Sequence, residues 1–299
     1  MAEKINFCPV CKGGKFSDYL KVKDHFLSKE TFNILQCISC GFRFVNPRPD
    51  KNEIGGYYQS EEYISHGVVK TDLLSRVYRI ARIFSIRNKY RIVKKYCQSG
   101  RILDIGCGTG EFLAYCRKMG FEVSGVEPNE KARHFAGMEN GITVSGKLKP
   151  SGDNGGIFNC ITMWHVLEHV HELDQTLDTI KELLTPDGTF IAAVPNSNSW
   201  DALHYGSSWA AYDVPRHLYH FTESTMTELA KRNGFEVVKT WPQKLDAYYV
   251  SMLSEKYAKG KKNYLKSVIL GFWSNFNAKT GGKGHSSLIF ILSLKKGQF

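Results

Sequence analysis

At 299 residues the chain has room for one full α/β domain and a small accessory module, and its 42% apolar and 13% aromatic content fits a packed, folded protein without low-complexity tracts. The net charge of +11, gathered in 70–101 and 256–283, points to an anionic contact such as RNA, a membrane surface or a phosphate-bearing substrate, or else to solvated helix faces. The opening MAEKINFCPVC lacks a basic region followed by an apolar one, and the apolar runs near Val268 and at 288–294 are too short for a bilayer. A cytoplasmic protein with reduced thiols and no membrane span is expected.

Residues 1–46 read as the first unit. FCPVC and QCISCGF are two CxxC knuckles, with strand-like FNILQ and FRFV around the second. So short and polar a segment needs a metal or disulfides to fold. Two CxxC pairs in a reducing compartment point to Cys8, Cys11, Cys37 and Cys40 around a structural, tetrahedral zinc with no open position. The other cysteines, Cys97, Cys107, Cys116 and Cys160, are scattered and read as small apolar packing residues.

Residues 47–100 read as linker, lid and amphipathic helix. A proline-marked stretch is followed by Tyr57, Tyr58, Tyr63 and His66, which form either the core of a small cap or a lid over the site described next. From Leu73 to Cys97, apolar residues recur at helical spacing, among them Leu74, Val77, Ile80 and Phe84, with Arg76, Arg79, Arg82 and Arg87 opposite. This predicts a helix broken near Asn88.

Residues 101–299 alternate strand and helix, which predicts a parallel doubly wound sheet. Its anchor is RILDIGCGTGEF, Arg101 to Phe112: a β-branched run ending in Asp104, glycines at 106, 108 and 110, then a helix-forming run. Glycine there permits positive φ and close approach of a ligand to the peptide groups. About twenty residues on, a second apolar run FEVSGVE ends in Glu127, where such folds place an acid on ribose hydroxyls. The glycines read GxGxG, not GxGxxG, and the acid before them suits a cationic ligand better than a pyrophosphate. A long insertion is expected at about 246–284, before a closing strand SSLIFILSL.

These residues resemble the class I S-adenosylmethionine (SAM) methyltransferases. The resemblance implies a Rossmann-like seven-stranded sheet with a reversed C-terminal hairpin. It also implies that Asp104 orients the methionine end of SAM, that Gly106, Cys107 and Gly108 offer backbone contacts, and that Glu127 accepts from both ribose hydroxyls, with Pro128 beside it. After the third strand, VSGKLKP supplies no acid, so the adenine contact is expected at the Leu148 backbone. An N-terminal segment closes the SAM site in related enzymes, which makes Tyr63 and His66 candidate substrate contacts.

MWHVLEHVHEL contains an HxxEH pattern that inverted zinc peptidases also show. Here it follows a fourth strand and resembles the VLEH stretch of methyltransferases, which would put His165 next to the SAM methionine or the substrate. The loop Ser197 to Thr222 offers Trp209, Tyr212, Arg216, His217 and His220 at the carboxyl edge of the sheet. Its RHLYHFT run resembles the EHLxYFS stretch of sugar C-methyltransferases, which also carry a four-cysteine zinc module. That match makes His217 the general base, while Arg216, standing where that family has glutamate, would hold a phosphate or carboxylate, and Trp209, Tyr212 and His220 would line the substrate. The expected activity is methyl transfer to an oxygen or activated carbon of a small polar metabolite such as a nucleotide-linked sugar. The alternatives are an RNA methyltransferase using the zinc module and the basic surface, and a non-catalytic SAM- or zinc-binding partner module.

Overall fold

The computed structural model describes residues 2–58, 73–150, 156–261, 263–280 and 282–295, with side chains of the helix opening at 73 described from Ile80 onward. Tyr63 and His66 lie outside the described residues. In chain order the strands are β1 (Ala2–Glu3), β2 (Phe16–Lys23), β3 (Thr31–Cys37), β4 (Arg43–Val45), β5 (Arg48–Pro49), β6 (Arg101–Ile105), β7 (Glu122–Val126), β8 (Val144–Ser145), β9 (Phe158–Trp164), β10 (Leu184–Pro195), β11 (Tyr219–His220), β12 (Phe235–Pro242) and β13 (Ser287–Leu294). The helices are α1 (Leu73–Tyr96), α2 (Glu111–Lys118), α3 (Glu130–Met138), α4 (Leu173–Leu183), α5 (Trp200–Tyr205), α6 (Glu223–Arg232), α7 (Asp246–Lys259) and α8 (Tyr264–Thr280).

Seven strands form the main sheet in the order β12-β13-β10-β9-β6-β7-β8, parallel except for β13, which runs antiparallel to both β10 and β12. This is the Rossmann-like methyltransferase arrangement with its reversed hairpin. The central strands are apolar on both faces because helices cover both sides. On α4, Leu173, Leu177, Ile180 and Leu183 recur at helical spacing and are buried together. Sharp starts position the other helices: Asn129 Oδ1 accepts from Ala132 N at 3.0 Å, and Thr222 with Thr225 forms a capping box on α6.

The first 46 residues do not close a sheet of their own. Strand β2, which its mixed polar sequence concealed, pairs with β3, β3 pairs with β4, and β4 takes β11 from the loop after β10 as its outer neighbour. Val10, Phe42 and Phe44 share one core with Leu218, Tyr219, Phe221 and the apolar face of the main sheet. Arg48 completes the weld, donating to the Tyr219 hydroxyl at 2.7 Å and to Glu3 Oε2 at 2.9 Å.

Three expectations fail here. Helix α1 runs unbroken past Asn88, since asparagine only weakly disfavours helix while Tyr90, Ile92 and Val93 anchor its far end in the core. Its first described turns leave Ile80 and Phe84 exposed, so the apolar stripe there is not a buried face. The loop 197–222 is not irregular either: it holds α5, short 3-10 turns and β11. Buried Asp201 organises it, accepting from Trp209 Nε1, Ser274 Oγ and Ser286 Oγ at 2.7–2.9 Å.

Within the stretch 246–284, α7 packs on α8 through small residues. A Cβ at Gly271 would lie 2.7 Å from the Tyr248 ring, so only glycine permits this approach. No helix among the described residues is long and apolar enough to cross a membrane.

Candidate functional site

The glycine loop turns over the carboxyl end of β6. The amides of Gly106 and Cys107 both donate to the Val126 carbonyl, at 2.7 and 3.1 Å, which fastens the loop to β7. Gly106 sits at φ 74°, and a Cβ there would come within 2.4 Å of Val166 Cγ2. Gly108, at φ 55°, faces open space: a Cβ would meet nothing within 4 Å. The loop therefore offers peptide groups to a ligand on one side while packing against Val166 on the other. The Cys107 thiol turns inward towards Gly125, which leaves its backbone on the ligand side.

Two carboxylates frame this cradle. Glu127 accepts from the amides of Gly108 (2.8 Å) and Asn129 (2.9 Å), so both oxygens are oriented while lone pairs remain for hydroxyl donors. Asp104 is buried and accepts from Thr162 Oγ1 at 2.5 Å. Burial pushes its carboxyl up to about 7, further raised by Glu127 and only partly offset by Thr162 and Lys89. A buried acid this poorly compensated is matched by a cationic ligand group. Exposed Pro128 passes its carbonyl to Arg133 (2.7 Å), and Leu148 packs part-buried against the core just beyond β8.

Lys89, on α1, belongs to the same region. Its ammonium lies 4.9 Å above the Trp164 ring, burial lowers its pKa, and Asp104 and Asp246 are the opposing charges. No motif marks it, and its place in a basic helix hides it among solvated neighbours. Asp246 and Thr162 carry no sequence signal either, being single residues on an insertion helix and a buried strand.

Beside the cradle, the turn after β9 carries the second constellation. His165 adopts φ 57° and places Nδ1 3.3 Å from Glu168 Oε1 and Nε2 3.0 Å from Asp246 Oδ2. Burial would lower its pKa, but the close carboxylates of Asp246 and Glu168 outweigh it and hold it at about 10. Glu168 is fully buried, and neither carboxylate oxygen has a hydrogen-bond partner among the described residues. Burial disfavours its charge, yet the surrounding imidazoles of His165, His217 and His169 lower its pKa overall. His169 donates from Nδ1 to the Arg216 carbonyl at 2.9 Å, with the Tyr58 hydroxyl 2.9 Å from the same nitrogen. Burial and the neighbouring His217 push its pKa down to about 4, so it is neutral. His217 donates from Nδ1 to the Ala211 carbonyl at 2.8 Å, and its ring meets that of His169 edge-on at 4.6 Å. Glu168, His169 and His217 bring one ligand atom each to within 4.8 Å of one another.

The structure brings His217 and His165 to this wall but assigns other loop residues differently. Arg216 is buried and pairs with Asp24 (2.9 Å) and Asp213 (2.7 Å), with a further bond to the Tyr57 carbonyl at 3.1 Å. Its donors are taken by carboxylates of this chain, so it locks the loop onto the first module and does not offer them to a substrate anion. Trp209, Tyr212 and His220 are likewise buried, packed edge-on in series at 5.0 and 5.1 Å. They are core beneath the wall, not open stacking surfaces, because α7 and β2 cover them.

The four cysteines of the first module converge. Cys8 and Cys40 sulfurs lie 3.6 Å apart, those of Cys11 and Cys37 3.5 Å, and all eight thiols of the chain are free. A zinc ion at about 2.3 Å from four thiolates sets sulfurs about 3.8 Å apart. The cluster therefore fits that ion with little movement.

The family described as "Methyltransferase domain" matches residues 77–240, from α1 to β12, leaving the cysteine module and the α7–α8 insertion outside. The chain is 28% identical over 152 residues to a ubiquinone biosynthesis O-methyltransferase of Bordetella avium (strain 197N), covering 46% of this chain and 63% of that protein. It is 34% identical over 103 residues to the protein of the same name from Caulobacter sp. (strain K31), covering 32% and 41%. The chain thus spans less than two thirds of the length of these relatives. Among solved structures, the 1,6-didemethyltoxoflavin-N1-methyltransferase of Burkholderia thailandensis, with S-adenosylhomocysteine bound, superposes with a TM-score of 0.51 at 17% identity, covering 92% of this chain and 100% of that one. That likeness is one of fold.

Proposed function

We propose that this chain, which belongs to the SAM-dependent methyltransferase family, methylates a hydroxyl oxygen or an activated carbon of a small polar acceptor bound against the His165–His217 wall. The observation that carries this reading is the junction of the two constellations. Val166, in the turn that bears His165 and Glu168, packs directly on Gly106 of the cradle.

SAM supplies a methyl group on a cationic sulfur, open to in-line attack. Asp104 would take its ammonium group, Lys89 its carboxylate, and Glu127 its ribose hydroxyls. The amides around Gly106, Cys107 and Gly108 would line the methionine and ribose parts, and Pro128 and Leu148 the adenine side. Alignment is the larger share of catalysis, and activation of the acceptor at His217 adds roughly 10²–10⁴-fold. The relatives named O-methyltransferases favour oxygen, and a nucleotide-linked sugar is the acceptor class that the resemblance of the RHLYHFT run supports. With Arg216 committed to Asp24 and Asp213, no residue is assigned to a substrate phosphate.

The test is incubation with SAM and a panel of nucleotide-linked sugars, free sugars and catechols, read as S-adenosylhomocysteine release and a one-methyl mass gain. SAM binding without transfer to any of these, or to a metabolite extract, overturns the small-molecule reading. An RNA acceptor is the second reading, favoured by the net charge of +11. It calls for RNA retention with a steep salt slope.

The four thiols support a structural zinc, consistent with the reduced, non-disulfide cluster. One zinc per chain in this module is expected, and its loss in Cys8→Ser should be accompanied by melting of the β2–β4 sheet.

A further inference from the structure

We propose that Glu168, His169 and His217 bind a divalent cation that holds and activates the acceptor oxygen. This rests on the methyl-transfer reading of the same wall and says how that wall works.

Three features carry it. First, Glu168 is fully buried, its Oε1 has only the 3.3 Å ion pair with His165 and its Oε2 has no partner among the described residues, an expensive state for a carboxylate that a cation would relieve. His165 completes it only in part: it reaches Oε1 at 3.3 Å, shares its charge with Asp246 at 3.0 Å, and leaves Oε2 without a partner among the described residues. Second, each of the other two imidazoles donates Nδ1–H to a backbone carbonyl, His169 to Arg216 and His217 to Ala211. A ring whose Nδ1–H is donated keeps a lone pair on Nε2, and a carbonyl in that position is the usual outer partner of a metal-bound histidine. Third, the three groups already bring ligand atoms within 4.8 Å of one another. Metal–ligand bonds of about 2.0–2.2 Å place tetrahedral ligand atoms about 3.3–3.6 Å apart, so closure takes about an ångström of side-chain movement.

Two imidazoles and one carboxylate suit zinc, cobalt, iron or manganese, and three protein ligands leave positions open. The four-thiolate cluster differs in having none. An acceptor hydroxyl at an open position would lose its proton to solvent more readily. Its oxygen lone pair would then form the bond to the methyl carbon as the carbon–sulfur pair returns to sulfur, turning the sulfonium into a neutral thioether. In this arrangement His217 acts as a ligand and lowers the acceptor's pKa through the ion.

The test uses the full chain with its four-cysteine site loaded with zinc, titrated with Mn²⁺ and separately with Co²⁺ by calorimetry, with SAM binding measured in parallel. One additional ion per chain is expected, weakened at least about tenfold in His217→Ala and in Glu168→Gln while SAM affinity is retained. Retained SAM affinity also shows that each variant is folded. No additional ion on the unmodified chain, or an ion that both variants keep, overturns the proposal. Loss of SAM binding by the unmodified chain would instead overturn the methyltransferase reading, whatever the ions do.

Discussion

The glycine-loop cradle and the histidine wall lie side by side, yet they are built in opposite ways. The cradle comes from one run of chain: Asp104, the three glycines and Glu127 sit at the ends of two adjacent parallel strands, and backbone bonds from Gly106, Cys107 and Gly108 hold them. The wall is assembled from distant segments. Glu168 and His169 come from the turn after β9, His217 from the loop after β10, Tyr58 from the linker and Asp246 from the insertion. Residues in the cradle keep the places their positions imply. In the wall, a residue's neighbour in sequence can point the other way, as Arg216 and His217 do.

That contrast can be broken at either end. The largest effect is expected at His217: replacement by alanine should lower turnover by about 10²–10⁴-fold with SAM affinity unchanged, measured by methyl transfer and calorimetry. An unchanged rate would place the acceptor elsewhere. Next comes Arg216→Ala, which strands Asp24 and Asp213 and should lower unfolding free energy by about 3–5 kcal/mol in denaturant titration. A stable variant with a raised KM would instead return Arg216 to the substrate. The same pair has an acid limb. Burial alone would raise the Asp24 pKa, but the bond from Arg216 and the Ser28 amide hold it at about 2. Its contribution is therefore present above the ordinary carboxylate range near pH 4 and lost as pH falls through about 2.

In the cradle, Glu127→Gln should weaken SAM binding by about 1.5–3 kcal/mol, roughly 10–150-fold, without loss of stability. The smallest effect is in pH. Burial holds the Asp104 carboxyl at about 7 in the free chain, and binding an ammonium group requires the ionised form. SAM affinity should be highest above pH 7 and fall by up to tenfold per unit below it. A flat profile between pH 5 and 8 would mean that Asp104 does not meet the cation.

The sheet, the cradle and the cysteine cluster were legible because each is encoded by local periodicity or fixed spacing. RILDI and FEVSGV announce strands, and a CxxC pair keeps its meaning wherever the chain carries it. Asp104 and Glu127 stood out by their places at the ends of two apolar runs, and their roles toward SAM were implied by the family resemblance. The misreadings cluster in the loop 197–222 and the segment before it. Trp209, Tyr212 and His220 look like a recognition surface in sequence because aromatic residues serve binding and core alike. Only the arrival of β2 on one side and α7 on the other decides that they are buried. Lys89 was hidden for the converse reason, a single lysine among many on a charged helix.

By itself, then, the chain's order of residues determined a doubly wound sheet, a glycine loop flanked by two acids and a clustered set of thiols, since each depends on groups a few bonds or one strand apart. The tertiary structure decided what the loops do. It turned Arg216 into a buried anchor and set buried Glu168 beside the imidazoles of His169 and His217, because charge pairing and burial depend on which distant segments meet, and no local spacing records that.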